Sequence, residues 1–370
     1  MSWPQAAAPR ATLGRRSSPA QPYVPQVITM RRRWPSSGNG PRREARFPGA
    51  GRASGNFRPL IITVTPNGSV DFVLRTVSPP NHDEQEVIPV AETAGGKGHN
   101  VARFLAAAGH VVTALGFAGG PVGERLTELL GEAGVATALT ATQGTTRRYT
   151  TVLGAAPARL SYHMAGPKVT QEECRRLLAA VAAAASDARM VILAGSLPPG
   201  APADLWAAII DAAGDRPVVL DSSGSALVAG VGAAPWMVKV NRAELAALDV
   251  VPPESSASRT AWSDALRPLA DRSAVRRWWV TLGPTGSIGW VDGKVIRTPG
   301  ARVRVINTTG AGDAFLAGWL DAHLRGASDE TAASRATAWA AAVCEQDAPI
   351  PPTAVRVEEL HGGLSGQDAL

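Results

Sequence analysis

The chain has 370 residues, 45% of them hydrophobic, which is ample for one large domain or two ordinary ones with a buried core. Its formal charge of +6 is unevenly distributed, because residues 1–58 contain eleven arginines and a single acidic residue, Glu44, and so carry +10. The remaining 312 residues hold 26 basic and 30 acidic side chains, a balance of −4. The part of the chain that can fold therefore lacks the basic footprint of a nucleic-acid-binding protein.

Residues 1–58 are rich in Pro, Gly, Ser and Arg and show no hydrophobic period, so we predict a disordered, dispensable tail. No apolar stretch in it is long enough for a secretory signal or a membrane span. Its arginine-rich, acid-poor character resembles an organelle transit segment, although the prolines disfavour an amphipathic helix, and a start codon assigned too far upstream is another explanation. The two cysteines, Cys174 and Cys344, lie on separate predicted helices, so we expect reduced thiols and a cytoplasmic protein.

From residue 59 onward, short apolar strands alternate with alanine-rich helices. Order begins with a short β-rich run at 59–65. The continuous apolar runs that follow, which fit strands buried on both faces of a parallel sheet, are 111–117, 190–194, 218–221, 236–239 and 278–282. The helical patterns between them are 98–108, 122–133, 171–185, 203–213 and 244–248. The alternation predicts one domain over residues 59–365 with an α/β fold, in which three α/β/α layers surround a mostly parallel sheet.

Two stretches lack intervening helices. Residues 70–75 with 86–93, and 148–153 with 159–163, alternate polar and apolar side chains as half-exposed strands do. We interpret them as a small β-sheet lid, over about 70–93 and 148–163, that can cover a site on the main body. The edge strands of such a lid could pair between subunits, which favours a homodimer. Ligands of open α/β sheets bind outside the carboxyl ends of the strands, so the glycine-rich segments that follow strands should share one rim.

The most informative segment is Asn307–Phe315, which reads Asn-Thr-Thr-Gly-Ala-Gly-Asp-Ala-Phe and leads into an apolar helix. Its glycines allow a ligand to approach the backbone closely, and the first N–H groups of a helix attract anions. Asp313 would then lie beside a bound phosphate that repels it, and proton abstraction from an attacking hydroxyl is the chemical reason for such a carboxylate. A helix N-cap is the alternative, because aspartate favours that position.

A second glycine-rich turn, Gly95–Arg103, also opens a helix. It is not a Walker P-loop, because glycine rather than Ser or Thr follows Lys97. The bare backbone at Gly95 and Gly96, beside Lys97 and Asn100, suits a ligand with many hydroxyls or a phosphate. A flexible loop with a solvated lysine is the alternative.

Three further segments end predicted strands at the same rim. Ser196 is placed at the rim after the strand at 190–194. Asn241 and Glu244 have the spacing of a helix capping box, whereas the functional alternative is that their oxygens and Lys239 face the phosphates and Mg²⁺ of a nucleotide. The turn at Leu282–Gly286 could pass close to a flat base.

In this order, the motifs resemble the ribokinase-like (PfkB) family of carbohydrate kinases over about residues 60–350. The first and second family signatures correspond to 95–102 and 309–315, and the blocks between them correspond to 195–198, 221–223, 239–244 and 281–286. The likeness is closest to the 1-phosphofructokinase and tagatose-6-phosphate kinase branch. It implies ATP- and Mg²⁺-dependent phosphorylation of a sugar phosphate, either fructose 1-phosphate or tagatose 6-phosphate, to the corresponding 1,6-bisphosphate.

The resemblance also implies roles for individual positions. Asp313 would be the catalytic base, with the amides of Gly310, Ala311 and Gly312 as the anion hole for the migrating phosphoryl group. The substrate-binding positions would be Asp71, Gly95, Gly96, Lys97, Asn100, Arg147 and Ser196, of which Lys97 and Arg147 would grip the substrate's own phosphate. The nucleotide-binding positions would be Lys239, Asn241, Thr281, Gly283 and Gly286, while Asn241 and Glu244 would hold Mg²⁺ directly or through water.

Two departures from the branch leave the sugar open. Residues 65–71 read Thr-Pro-Asn-Gly-Ser-Val-Asp, which differs from the usual Asn-Pro-x-x-Asp and is closer to the start of ribokinases. The usual Thr-Arg-x-Asn reads Thr-Arg-Arg-Tyr at 146–149. An unphosphorylated sugar or a nucleoside is therefore the alternative substrate. The alternative of another class is an inactive sugar-binding or regulatory module, which the intact Gly-Ala-Gly-Asp sequence and the Asn/Glu pair disfavour.

Overall fold

A computed structural model describes residues 60–76, 86–154, 159–254 and 258–365, so the predicted tail lies outside the described residues. The strands are β1 (Leu60–Thr65), β2 (Ser69–Thr76), β3 (Val87–Gly95), β4 (Val111–Ala118), β5 (Ala136–Ala141), β6 (Arg147–Leu153), β7 (Arg159–His163), β8 (Ala188–Ala194), β9 (Val218–Asp221), β10 (Met237–Asn241), β11 (Arg277–Thr281), β12 (Ser287–Val291) and β13 (Lys294–Thr298). The helices are α1 (Lys97–Ala107), α2 (Gly120–Glu132), α3 (Gln171–Ala185), α4 (Leu205–Ala212), α5 (Gly224–Val231), α6 (Arg259–Ser273), α7 (Ala311–Leu324), α8 (Asp329–Cys344) and α9 (Ala354–Ser365). Short 3₁₀ helices span Glu244–Leu248 and Gly283–Thr285.

The main sheet of the described residues has nine strands in the order β13-β12-β11-β10-β9-β8-β1-β4-β5. Neighbouring strands from β5 to β11 are parallel, as the alternation of strands and helices predicts. At one edge, β12 and β13 are antiparallel, and the sequence analysis did not foresee this hairpin. The parallel order brings the carboxyl ends of β1, β8, β9, β10 and β11 to one edge, which is where an open α/β sheet binds ligands.

Helices cover both faces of the main sheet and form three layers. Along β1, Ile61 packs in one hydrophobic cluster, whereas Ile62 and Val64 pack in the other, because successive side chains of a strand point to opposite faces. The first cluster contains apolar side chains of α1, α2, α7, α8 and α9. The second contains apolar side chains of α3, α4, α5 and α6. The predicted three-layer α/β/α arrangement is confirmed.

The predicted lid is a separate sheet of the order β3-β2-β6-β7. Strands β2 and β6 are parallel at its centre, while β3 and β7 pair antiparallel at its edges. Large apolar side chains of the edge strands are exposed, among them Ile88 on β3 and Leu160 and Tyr162 on β7. The lid is joined to the main body at two turns that contain glycine. One is the turn 66–68 between β1 and β2, and the other is Gly96 between β3 and α1.

Several element boundaries differ from those predicted. The strands expected at 236–239 and 278–282 are β10 and β11, which are displaced by one or two residues. The segment 244–248 forms a 3₁₀ helix rather than an α-helix. Cys174 and Cys344 are free thiols on α3 and α8, as expected. Among the described helices, none combines the length and the apolar character that crossing a membrane requires.

Candidate active site

The predicted site residues collect at the carboxyl edge of the main sheet. Strand β9 ends at Asp221, β10 at Asn241 and β11 at Thr281. Ser196 follows the end of β8 by two residues. The loop with Gly310 follows β13, which runs in the same direction as β11 because two antiparallel pairings separate them. Segments far apart in the sequence therefore face a common rim.

Asp313 is the third residue of α7 and does not cap the helix. The N-cap is Gly310, with a φ of 79°, and no side chain caps this end. Asp313 is 6% exposed, and its Oδ2 accepts a hydrogen bond of 2.7 Å from Nδ2 of Asn100. The capping alternative is therefore wrong, because the carboxylate faces α1 rather than the amides of its own helix.

The electrostatic environment of Asp313 matches the requirement for a general base. Burial raises the pKa of Asp313 to about 6, and repulsion from Asp221 adds to the effect. The ammonium groups of Lys239 and Lys97 and the hydrogen bond from Asn100 oppose this rise. A carboxylate with a pKa near neutrality can accept a proton during reaction and release it afterwards.

Two lysines meet at Asp221. Its side chain is fully buried and accepts from Nζ of Lys97 at 2.7 Å and from Nζ of Lys239 at 2.8 Å. Burial alone would raise the pKa of Asp221, but the two ammonium groups, Lys239 first, hold it below the ordinary value. Lys97 also contacts Oε1 of Glu244 at 3.0 Å. Burial opposes the charge of Lys97, yet Asp221 and Glu244 raise its pKa, so this lysine is charged and held between two carboxylates.

Lys239 also adjoins the glycine-rich loop. A Cβ on Gly312 would lie 2.9 Å from its Nζ, so the ammonium group is next to the first turn of α7. In that turn the amide of Ala311 donates to the carbonyl of Thr308 at 3.3 Å. The structure thus brings a lysine, a helix N-terminus and Asp313 together, an arrangement suited to an anion.

Asn241 and Glu244 form the capping box that their spacing predicts. The amide of Glu244 donates to Oδ1 of Asn241 at 2.9 Å, and the amide of Asn241 donates to Oε2 of Glu244 at 2.8 Å. Within the described ranges there is no group of three or more His, Cys, Asp or Glu side chains that could hold a metal ion. The oxygen donors fit a hard cation such as Mg²⁺, but their existing bonds favour contact through water over direct coordination.

The predicted acceptor-binding residues include Asp71 on β2. Its Oδ1 accepts from the hydroxyl of Ser69 at 2.5 Å, and burial raises its pKa while Arg147 and Arg103 oppose the rise. A Cβ on Gly95 would overlap this carboxylate, which explains the glycine at that position. Asp71 and the turn into α1 are thus in direct contact.

Arg147 and Ser196 are connected through Asn67, in the turn between β1 and β2. Nε of Arg147 donates to the carbonyl of Asn67 at 3.2 Å, and its Nη1 donates to the carbonyl of Met164 at 3.4 Å. The side-chain amide of Asn67 donates from Nδ2 to Oγ of Ser196 at 3.1 Å. Arg147 therefore makes these hydrogen bonds with backbone carbonyls, while Ser196 accepts from the side chain of Asn67.

The predicted nucleotide-binding turn lies beside Asn241. Thr281 pairs with Asn241 between β11 and β10. Gly283 has a φ of +60° and open space where a Cβ would stand, whereas a Cβ on Gly286, with a φ of +101°, would overlap the carbonyl of Thr298. This turn needs glycine for its backbone at both positions and leaves room for a ligand at Gly283.

Sequence reasoning assigned no role to two charged residues of this site, Asp221 and Arg103. Asp221 ends the buried run Val-Val-Leu-Asp, and a carboxylate at the carboxyl end of a buried strand is a signal that could have identified it. Arg103 is one turn after Asn100 on α1, and its Nη2 donates to Oδ1 of Asn100 at 2.7 Å. The (i, i+3) spacing with Asn100 is the corresponding signal.

Comparisons with known sequences and structures bear on the family of this chain. The sequence profile of the pfkB family carbohydrate kinases matches residues 67–354. The chain is 32% identical over 280 residues to 1-phosphofructokinase of Haloferax volcanii, an alignment that covers 74% of this chain and 87% of the relative. It superposes on phosphofructokinase-2 of Escherichia coli in complex with fructose-6-phosphate with a TM-score of 0.73 and 27% identity, covering 83% of this chain and 99% of that one. The tetrameric inhibited form of the same enzyme gives a TM-score of 0.72 at 27% identity and the same coverage. The chain belongs to the pfkB family of carbohydrate kinases.

Proposed function

We propose that the protein transfers the γ-phosphoryl group of ATP to a hydroxyl of a sugar phosphate. As a member of its family it is a phosphotransferase with an alcohol acceptor, and ATP is the donor that membership implies. The observation that carries the proposal is the buried Asp313, which has a raised pKa, lies in the first turn of α7 and is hydrogen-bonded to Asn100. Fructose 1-phosphate is the first candidate acceptor because the relative from Haloferax volcanii is a 1-phosphofructokinase, and tagatose 6-phosphate is the second.

In the proposed reaction, Asp313 accepts the proton of the acceptor hydroxyl while the hydroxyl oxygen attacks the γ-phosphorus in line. The bond between that phosphorus and the β–γ bridging oxygen breaks, and ADP leaves. The charge on the equatorial oxygens would be stabilised by Lys239 and by the amides of Gly310, Ala311 and Gly312. The amide of Ala311 would then donate to the phosphoryl group in place of the carbonyl of Thr308, to which its hydrogen bond is long. Asp71 and Asn100 would orient the sugar hydroxyls.

For Mg²⁺, we propose Asn241 and Glu244 as the residues that hold the ion through water. The ion would neutralise phosphate charge, while this chain supplies oxygen donors whose positions are set by the capping box. Thr281, Gly283 and Gly286 would border the base and ribose of the nucleotide.

The phosphate of the acceptor is expected at Arg147 more than at Lys97. Lys97 is held by two carboxylates, Asp221 and Glu244, whereas the hydrogen bonds of the Arg147 guanidinium go to backbone carbonyls. The positive charge of Arg147 is therefore less neutralised by hydrogen-bonded carboxylates than that of Lys97, which favours Arg147 as the partner of a substrate anion. Gly95, Gly96 and Ser196 would complete the acceptor site around the turn between β1 and β2.

We further propose a cytoplasmic homodimer that pairs through the lid. The support is that both edge strands of the lid, β3 and β7, expose apolar side chains, among them Ile88 on β3 and Leu160 and Tyr162 on β7. An unpaired strand edge with apolar side chains favours association with another strand. Sedimentation of the full chain would test the oligomeric state.

A coupled assay of ADP release tests the proposed function over fructose 1-phosphate, tagatose 6-phosphate, fructose 6-phosphate, ribose and adenosine. We expect turnover with a phosphorylated sugar and an increase of about tenfold or more in the KM of that sugar in Arg147→Ala, from loss of a charge-assisted contact. Turnover limited to ribose or adenosine, with an Arg147→Ala variant that behaves as wild type, would instead identify an unphosphorylated acceptor. No turnover with any acceptor would favour a binding module.

A further inference from the structure

Arg103 is a buried cation that the reaction described above does not use. It lies on α1 and is 6% exposed. Burial lowers the pKa of Arg103 to about 10, while the nearby carboxylates of Asp71 and Asp313 oppose this effect. The guanidinium therefore stays charged at neutral pH, and burying such a charge is costly unless partners compensate it.

The first partner of Arg103 determines how the amide of Asn100 is oriented. An asparagine side chain offers an acceptor on one side and donors on the other, whereas a guanidinium offers only donors. Because Nη2 of Arg103 lies 2.7 Å from Asn100, the oxygen of that amide must face the arginine. The amide nitrogen of Asn100 then points at Asp313, where it donates at 2.7 Å.

The second partner of Arg103 is on the segment after α8. Its Nη2 also donates to the carbonyl of Pro349 at 2.9 Å. Pro349 adjoins the glycine-rich loop, since a Cβ on Gly310 would come within 2.5 Å of its Cβ. Two residues earlier, Asp347 forms an ion pair of 2.5 Å with Arg75 of the lid strand β2.

We propose that Arg103 is a positioning residue for phosphoryl transfer: it fixes the amide of Asn100 toward the base Asp313 and secures the segment that supports the glycine-rich loop. The inference rests on the proposed function. Arg103 acts through Asn100 and Pro349 and needs no contact with either substrate.

The proposal has a consequence for the pH dependence of turnover. The charged groups facing Asp313 are Lys97 and Arg103 from α1, Asp221 from β9 and Lys239 from β10, together with the amide of Asn100. Removing the Arg103 guanidinium takes away one cation and frees the Asn100 amide to turn its oxygen toward the carboxylate. Both changes disfavour ionised Asp313, so the acid limb of the kcat profile should move to higher pH.

The experiment compares Arg103→Met and Arg103→Lys with Arg335→Met as the control, by measuring kcat and both KM values from pH 5 to 9. Arg335 is on α8 and pairs with Glu358 on α9. We expect Arg103→Met to lower kcat by about 10- to 100-fold and to shift the acid limb upward by about half a pH unit or more, with the KM of ATP nearly unchanged. Arg103→Lys should recover part of both effects, and Arg335→Met should show neither.

An Asn100→Ala background provides the second measurement. If Arg103 acts through Asn100, adding Arg103→Met to that background should change kcat and the acid limb much less than it does in the wild type. Additive effects, or wild-type kcat and an unmoved acid limb in Arg103→Met, would overturn the inference. If Arg103→Met does not fold, the same comparison with Arg103→Lys decides the question. A wild type that phosphorylates no sugar would contradict the proposed function instead.

Discussion

Asp313 and Asp321 are both buried carboxylates of α7, but they face different partners. Asn100 donates to Asp313 at the start of the helix, whereas His110 and Arg325 contact Oδ1 of Asp321 two turns later, at 2.9 and 2.7 Å. The same residue type in the same helix is therefore placed once at the candidate site and once in a structural ion pair. This difference supplies a matched control for the base.

We expect Asp313→Asn to lower kcat by roughly 10²–10⁴ with little change in the KM of either substrate, because the amide keeps the size of the side chain but cannot accept the proton. Steady-state kinetics with the best acceptor sugar would measure this loss. Asp321→Asn removes a carboxylate of the same helix and should leave kcat within about twofold of wild type, at some cost in stability. Equal losses of kcat in the two variants would show that the loss comes from a general disturbance of α7 and not from removal of the base.

The raised pKa of Asp313 predicts an acid limb in the kcat profile. The carboxylate must be ionised to act as a base, so activity should fall as the pH decreases through about 6. A profile that stays level down to pH 5 would contradict the assignment of Asp313 as the base.

The same shift in pKa predicts a cost in stability. Because the pKa of Asp313 is higher in the folded state than the ordinary value of 3.8, its stabilising contribution is complete below that value and is lost as the pH rises to about 6. At pH 8, Asp313→Asn should therefore be more stable than wild type by on the order of 2–3 kcal/mol, at about 1.4 kcal/mol per pKa unit. Denaturant unfolding at pH 8 and pH 4 would measure the difference, which should nearly disappear at pH 4.

Asp221 is expected to be essential for stability because it neutralises a buried lysine. Lys239 is 3% exposed, so Asp221→Ala would leave its ammonium group buried without this carboxylate. Breaking a buried ion pair in this way costs about 3–5 kcal/mol of folding free energy. The control Glu358→Ala breaks the pair with Arg335 and should cost less than about 1 kcal/mol, since the Glu358 side chain is 57% exposed. Urea unfolding at pH 7 would compare the two variants. Similar losses in the free energy of unfolding would contradict the expectation that Asp221 is essential for stability.

A methyl group at residue 95 should impair the acceptor site alone. A Cβ there would overlap the carboxylate of Asp71, so Gly95→Ala should displace Asp71 and raise the KM of the sugar by about tenfold or more, with little change in the KM of ATP. Gly131→Ala on α2 is the matched control, because nothing lies within 4 Å of its Cβ. Initial rates with each substrate varied in turn would separate the two KM values, and an unchanged KM for the sugar would contradict the placement of Asp71.

The main fold was predictable because its signals are local. Buried parallel strands appear as continuous apolar runs, and the alanine-rich helical pattern at 171–185 has the observed bounds of α3. In the structure this helix starts at a capping box formed by Thr170 and Glu173. The hairpin of β12 and β13 was missed although Asp292-Gly293 stands between the strands, both residues with positive φ, which is the strongest short hairpin signal.

The contacts of the site were less predictable than its residues. The glycine-rich turns identified Lys97 and Asp313, but Lys97 meets Asp221, 124 residues away in the chain, and no periodic pattern encodes such a contact. Likewise, whether Asp313 caps its own helix or faces α1 depends on the Asn100 side chain, which only the packing of α1 against α7 brings into reach. Long-range side-chain geometry follows from the assembled sheet.

The hydrogen bonds of α1 also set an order of events during protein synthesis. Asn100 and Arg103 are made early, yet their acceptors on Asp313 and Pro349 follow 213 and 246 residues later. Until that last stretch has left the ribosome, the guanidinium of Arg103 lacks the carbonyl of Pro349 and the carboxylate of Asp313, two of the groups that compensate its burial. Catalytic competence should therefore arise in one late step, and fragments that stop before residue 349 should be inactive even where their strands have formed.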